Sequence, residues 1–246
     1  MTEIRTLPSA QGIELAFRHT TGSGPAVAFL PGYMSDMDGS KATAIFAHCK
    51  AQGRECLLLD YSGCGESDGD FADGTLTIWR DEVLLLIANQ IENEKVVVVG
   101  SSMGGWLMLL VGLALKNRLA GLVGIASAPD FSDWGYDEAQ KAQLREGETI
   151  FEESDYGYDP MPTYAGFWAD AEANRLLNNT IPITCPVRLL HGQEDKDVPC
   201  DTSLRLAKAL ASEDVHVTLI KGGDHRLSRE SDVSVLLRTV DAACEI

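Results

Sequence analysis

The chain has 246 residues, 45% of them hydrophobic and 23% charged, and its 37 acidic and 20 basic residues give a formal net charge of −17. That length suits a single domain with a full core, and a surface so acidic repels phosphate backbones, which argues against a nucleic-acid partner. The opening residues lack the basic start and apolar run of a secretion signal, and the longest apolar stretch, around residues 106–115, is too short to span a bilayer and is broken by Gly112, so a cytoplasmic protein with no membrane span is expected.

The predicted elements run in a regular order. Residues 4–7 and 15–19 read as a short hairpin across a Gln11-Gly12 turn. The strand at 26–30 is stopped by Pro31-Gly32. A helix at 39–52, a strand at 55–61, a helix at 76–92, a strand at 95–99, a helix at 103–117 and a strand at 121–126 follow. The series closes with a strand at 187–190, a helix at 202–211, a strand at 215–220 and a helix from Ser228. Continuous Val/Ile/Leu strands alternating with amphipathic helices predict a mostly parallel sheet covered on both faces.

One stretch breaks the rhythm. Between Ala128 and Pro186 there is no strand signal, only aromatic and acidic residues, among them Phe131, Trp134, Tyr136, Phe151, Tyr156, Tyr158, Tyr164, Phe167 and Trp168. Helices are expected at 137–146 and 164–178, with Pro160 and Pro162 between them. An insertion of this length, spanning about residues 131–183 of one 1–246 domain, reads as a small helical cap or lid. The six cysteines form no C-x-x-C pair and do not cluster with histidines, so reduced thiols and no metal site are expected.

The pattern Gly-x-Ser-x-Gly occurs twice, at Gly65-Glu66-Ser67-Asp68-Gly69 and at Gly100-Ser101-Ser102-Met103-Gly104. An activated serine of this kind sits on a strained turn between a buried strand and a helix, with small neighbours that let the two approach. Ser102 has that setting, with a valine strand before it and Gly104-Gly105 with an apolar helix after it. Ser67 runs into the loop Asp68-Gly69-Asp70 and is read as a decoy. A phosphate-binding turn is the plainer alternative for Ser102, but the Gly-x-Gly-x-x-Gly spacing is missing.

A serine hydroxyl needs an imidazole to take its proton. In enzymes with such an elbow the acid and then the histidine follow the serine. His19 and His48 precede it, His191 precedes the acids near it, and His216 lies inside a strand. His225 follows Lys221-Gly222-Gly223-Asp224, just past a strand's carboxyl end, where open parallel sheets place their sites. His225 is the expected base. The orienting acid should leave the end of the preceding strand, in the loop Gln193-Glu194-Asp195-Lys196-Asp197, where spacing leaves Asp195 and Asp197 both open. The oxyanion hole needs two N–H donors. The amides of Met103 and of Tyr33, after Pro31-Gly32, are nominated.

With these residues in hand the chain resembles the α/β-hydrolase superfamily, and within it the small serine esterases that include the mitochondrial acyl-protein thioesterase and acyl-glucuronide esterase. The likeness rests on Phe29-Leu30-Pro31-Gly32-Tyr33, Asp60 to Gly69, Gly100 to Met108, Arg188-Leu189-Leu190-His191-Gly192 and Asp224-His225-Arg226. It implies an α/β-hydrolase fold. In that pattern the acid stands four residues beyond the histidine of the His-Gly pair, which falls on Asp195 and favours it over Asp197. The same resemblance gives Ser67 a structural place in a Gly-rich turn. The chain departs from the mitochondrial relatives in having no transit-like leader and in its acidic insertion.

The expected activity is hydrolysis of a small-molecule ester or thioester through an acyl-Ser102 intermediate, with no metal or organic cofactor. Trp106, Trp134 and Phe167 are the expected acyl-pocket residues, against the plainer reading that they pack the insertion onto the core. Acyl transfer to an alcohol or peroxide by the same residues is the alternative, and a non-catalytic binding protein is a further one.

Overall fold

The computed structural model describes residues 3–152 and 160–245. Tyr156 and Tyr158 lie outside the described residues. The strands are β1 (Arg5–Pro8), β2 (Glu14–Thr20), β3 (Ala26–Leu30), β4 (Cys56–Leu59), β5 (Val96–Ser101) and β6 (Leu119–Ile125) in the first half of the chain. A two-stranded ribbon, β7 (Ile150–Glu152) and β8 (Met161–Thr163), separates them from β9 (Val187–Gly192) and β10 (Val215–Ile220). The helices are α1 (Ser40–Ala51), α2 (Leu76–Gln90), α3 (Met103–Leu115), α4 (Phe131–Trp134), α5 (Glu138–Arg145), α6 (Ala165–Ala173), α7 (Asp201–Ala209) and α8 (Glu230–Cys244).

The main sheet runs β1-β2-β4-β3-β5-β6-β9-β10. Every pairing from β4 to β10 is parallel, while β2 is antiparallel to both its neighbours. The α/β-hydrolase expectation is borne out. Alternation along the central strands explains how both faces are filled. Ala26, Ala28, Leu30, Val96 and Val98 join one core with Trp79 and Leu107, while Val27, Phe29, Val97 and Val99 join the other with Ile45, Phe46 and Val240. Helix α3 is apolar all round because it is enclosed all round: residues 103–112 are all buried.

Two expectations for the insertion need correction. The stretch between Ala128 and Pro186 does contain strands, since β7 and β8 pair antiparallel with Phe151 opposite Pro162. Three-residue strands are too short to show a period, and a two-stranded ribbon tolerates a proline that donates no ladder bond. Helix α6 ends at Ala173 rather than near 178. Past Asn174 the backbone has a better partner, because the buried Asp130 carboxylate accepts from the amides of Leu176 and Leu177, both at 2.8 Å. A short helix, α4, was not expected at all.

The insertion is pinned to the sheet layer at named points. Trp106 Nε1 donates to the Asn174 carbonyl at 3.1 Å, Tyr33 Oη to the Pro162 carbonyl at 2.8 Å, and Thr77 Oγ1 to Asp170 at 2.6 Å. Among the described residues no helix is long and apolar enough to cross a membrane.

Beyond β4 the chain turns through Asp60, which is 1% exposed and accepts from the amides of Met37 (2.7 Å) and Glu66 (3.0 Å). Burial pushes its carboxyl up to about 6, and the two amides only partly offset that. The unfolded value is about 3.9, so the folded value is the higher one. Asp60 therefore contributes stability that is complete below about pH 4 and is lost as pH rises through about 6. Denaturant unfolding of the native protein and of Asp60→Asn should show the native advantage shrinking by the order of 2 kcal/mol between pH 4.5 and 7.5. An advantage that grows over that range would contradict the assignment.

Candidate active site

Ser102 sits between β5 and α3 with φ 55° and ψ −118°, a backbone conformation that L residues rarely hold. Three bonds hold it there. Its amide donates to Ile125 O at 2.9 Å, and its carbonyl accepts from Gly105 N (2.8 Å) and Ala128 N (3.0 Å). The flanking glycines are demanded by space. A Cβ on Gly100 would lie 2.1 Å from Gly104 O, and one on Gly104 would lie 2.2 Å from Leu30 O.

Asp195 and His225 come from the loops after β9 and β10, which pack together through another pair of glycines. A Cβ on Gly192 would stand 2.3 Å from Gly223 O, while Glu194 N donates to that same carbonyl at 2.8 Å. The close approach delivers both side chains to Ser102. His225 Nε2 is 3.1 Å from Ser102 Oγ, and His225 Nδ1 is 2.9 Å from Asp195 Oδ2. Because the carboxylate can only accept, Nδ1 carries the hydrogen and the Nε2 lone pair is left for the serine hydroxyl.

The Asp195 side chain is fully enclosed. Its Oδ1 accepts from Asp197 N (3.0 Å) and Val198 N (2.8 Å). Burial alone would push the carboxyl up, but hydrogen bonds from His191 and His225 outweigh it and hold the group well below the usual carboxylate range. Asp195 is thereby held as the carboxylate at neutral pH. Asp197, the other candidate from spacing, is exposed and reaches Asp195 through its backbone.

The amides of Met103 and Tyr33, expected as oxyanion donors, form no hydrogen bond with another described backbone group. That is natural for Met103, the first residue of a helix. Gly32 brings the second strand end close, since a Cβ there would meet Ser102 Cβ at 3.4 Å. The Tyr33 ring lies 4.9 Å from Phe71 and 5.0 Å from Phe167 by ring centroids.

Two of the expected pocket residues, Trp106 and Phe167, are part of the same aromatic assembly. Trp106 is fully buried, 5.6 Å from the Phe131 ring, and Phe167 lies 5.9 Å from Phe131. Trp134 is half-buried and donates to the Pro129 carbonyl at 2.9 Å. Trp106 and Phe167 belong to the main core cluster. Ser67 holds its turn: its hydroxyl donates to Asp60 O and accepts from Ala16 N, both at 2.8 Å.

Ligand atoms of Asp195, Asp197 and His225 lie within 4.8 Å of one another. Two of these residues already bond each other directly, so the trio is a hydrogen-bonded pair with an acidic neighbour rather than an open ligand set. Sequence reasoning missed His191, which is wholly buried and whose Nε2 lies 3.2 Å from Asp195 Oδ2. Its place beside Gly192 on the strand that delivers the acid was the available signal.

A family model described as the alpha/beta hydrolase family matches residues 27–236. The mouse protein named palmitoyl-protein thioesterase ABHD10, mitochondrial, is 40% identical over 233 residues, covering 92% of this chain and 77% of its own. That name lends no support to the cytoplasmic expectation. A solved structure of mouse alpha/beta hydrolase domain-containing protein 10 superposes with a TM-score of 0.89 at 36% identity, covering 98% of each chain. A putative hydrolase from Agrobacterium vitis S4 gives a TM-score of 0.91 at 34% identity, covering 100% of this chain and 99% of its own. With a matched model over most of its length and relatives this similar, the chain belongs to the alpha/beta hydrolase family.

Proposed function

We propose that the protein is a serine hydrolase of carboxylic esters or thioesters that works through an acyl-Ser102 intermediate. The observation that carries this reading is the unbroken row Ser102 Oγ, His225 Nε2 (3.1 Å), His225 Nδ1, Asp195 Oδ2 (2.9 Å), mounted on a strained turn.

In the first half-reaction His225 Nε2 takes the Ser102 proton as Oγ bonds to the acyl carbon. Negative charge moves to the former carbonyl oxygen, where the Met103 and Tyr33 amides stabilise it. Collapse of the adduct breaks the bond to the alcohol or thiol, which leaves with the proton held by His225. Water then attacks the acyl-serine, giving its proton to His225, and the second collapse releases the carboxylic acid and returns the proton to Ser102. Asp195 stabilises the imidazolium in both halves and keeps its tautomer fixed. The insertion is read as a cap, and the apolar Tyr33, Phe131 and Phe167 cluster beside the site suits an acyl chain better than a charged group. The thioesterase names of the relatives support including thioesters.

Acid-quenched turnover with an ester and thioester panel of rising acyl length tests this. Mass spectrometry should find the acyl mass on the tryptic peptide 96–116, which contains Ser102. Turnover with no adduct, together with no labelling by a fluorophosphonate, would overturn it.

A further inference from the structure

His191 is the next-to-last residue of β9 and is wholly buried, with both ring nitrogens engaged. Nε2 lies 2.9 Å from the Val198 carbonyl and Nδ1 lies 2.7 Å from the Ser203 hydroxyl on α7. A carbonyl only accepts, so Nε2 carries a hydrogen. In the neutral ring Nδ1 then accepts from the Ser203 hydroxyl. The same Nε2 lies 3.2 Å from Asp195 Oδ2, the oxygen that accepts from His225 Nδ1–H.

From this geometry we infer that His191, locked by Ser203, is a positioning residue that fixes the Asp195 carboxylate and limits how strongly that carboxylate supports the His225 base. The inference rests on the acyl-Ser102 reading above. Two imidazoles share one carboxylate oxygen, so each weakens the pull on the other. Oδ1 is tied to its own turn through the Asp197 and Val198 amides, which leaves Oδ2 as the adjustable end. Without His191 the full charge of Oδ2 falls on His225, whose imidazolium becomes easier to form. At the same time Asp195 loses the imidazole that stands beside its Oδ2, next to the three groups that donate to the carboxylate. The histidine should then be more basic and less well aimed.

Other charged groups on the same loops are Glu194, Lys196 and Asp197 around the acid, and Asp224 and Arg226 around the base, where Lys41 Nζ donates to the Arg226 carbonyl at 2.6 Å. None is touched by the variants chosen. His191→Leu keeps bulk and removes every polar atom. His191→Gln keeps a donor for Val198 and Asp195 and an acceptor for Ser203. Ser203→Ala removes only the lock.

Each variant is titrated from pH 5 to 9 for kcat/KM on a short-chain p-nitrophenyl ester and for the rate of fluorophosphonate labelling, with melting temperature measured alongside. His191→Leu should label about 10- to 100-fold more slowly at neutral pH, with the midpoint of its acid limb raised by about half a pH unit or more. His191→Gln should lose no more than about fivefold and keep the native midpoint. Ser203→Ala should move the midpoint in the same direction as His191→Leu by a smaller amount. A His191→Leu midpoint identical to the native one, or a Gln variant that behaves like the Leu variant, overturns the inference. If the Leu variant does not fold, a Ser203→Ala midpoint equal to the native one overturns it instead. A native protein that takes no label at Ser102 defeats the acyl-serine reading itself, which is a separate result.

Discussion

Ser102→Ala is expected to cut kcat by about 10⁵- to 10⁶-fold while leaving the melting curve close to the native one. The loss is large because in the proposed mechanism Oγ is the bond-forming atom; Ser101, the adjacent serine, belongs to β5 and is buried there. Stability changes little because Ala inherits the same φ of 55° and the same three backbone bonds. Ser102→Gly should be equally inactive yet more stable by about 1 kcal/mol, since glycine adopts this backbone without strain. That corresponds to about 2–4 °C in Tm for a chain of this size. A Ser102→Gly variant that melts below Ser102→Ala would refute the strain, and an Ala variant with near-native turnover would remove Ser102 from the chemistry.

Gly104→Ala should be among the most damaging single methyls in the protein. The added Cβ would sit 2.2 Å from Leu30 O and 2.4 Å from Pro31 O, backbone atoms at the end of β3 and the start of the loop that carries Tyr33. Backbone cannot swing aside as a flexible side chain can, so either α3 withdraws or the loop after β3 moves. Each route costs about 3 kcal/mol or more, and each displaces a proposed oxyanion donor, so activity should fall by at least about 100-fold even in the folded fraction. Gly166→Ala is the control. It lies in the first turn of α6 with nothing within 4 Å of its would-be Cβ, and should change stability by less than about 1 kcal/mol. Urea unfolding of the two variants beside the native protein decides it. Equal midpoints for Gly104→Ala and the native protein would show that the elbow has slack.

The layered sheet was legible in the sequence because buried parallel strands write themselves as unbroken apolar runs, as in Val96–Val99. Ser102 was legible because its glycines answer to hard contacts that no other residue can meet. Asp195 and Asp197 could not be separated by spacing, since two residues on a turn reach similar places. What divides them is a backbone detail: the amides of residues 197 and 198 fold back onto the Asp195 carboxylate. The insertion was read least well. Its ribbon strands are shorter than any detectable period, and α6 stops where it does because of Asp130, some forty residues earlier. His191 was passed over because its placement depends on Ser203 and Val198, partners that a linear pattern does not bring together.

The order of the strands has a bearing on when this chemistry exists. Ser102 rides on β5 in the middle of the sheet, while the imidazole beside it arrives 123 residues later, from the loop after the outermost strand β10. On the ribosome, a nascent chain therefore exposes only an ordinary alcohol until residue 225 has emerged and β10 has docked against β9. Outer strands are also the first to fray under stress. Reaction with a fluorophosphonate should accordingly report a docked β10 and an intact margin, and should fade in partial denaturant before the central strands give up their protected amides.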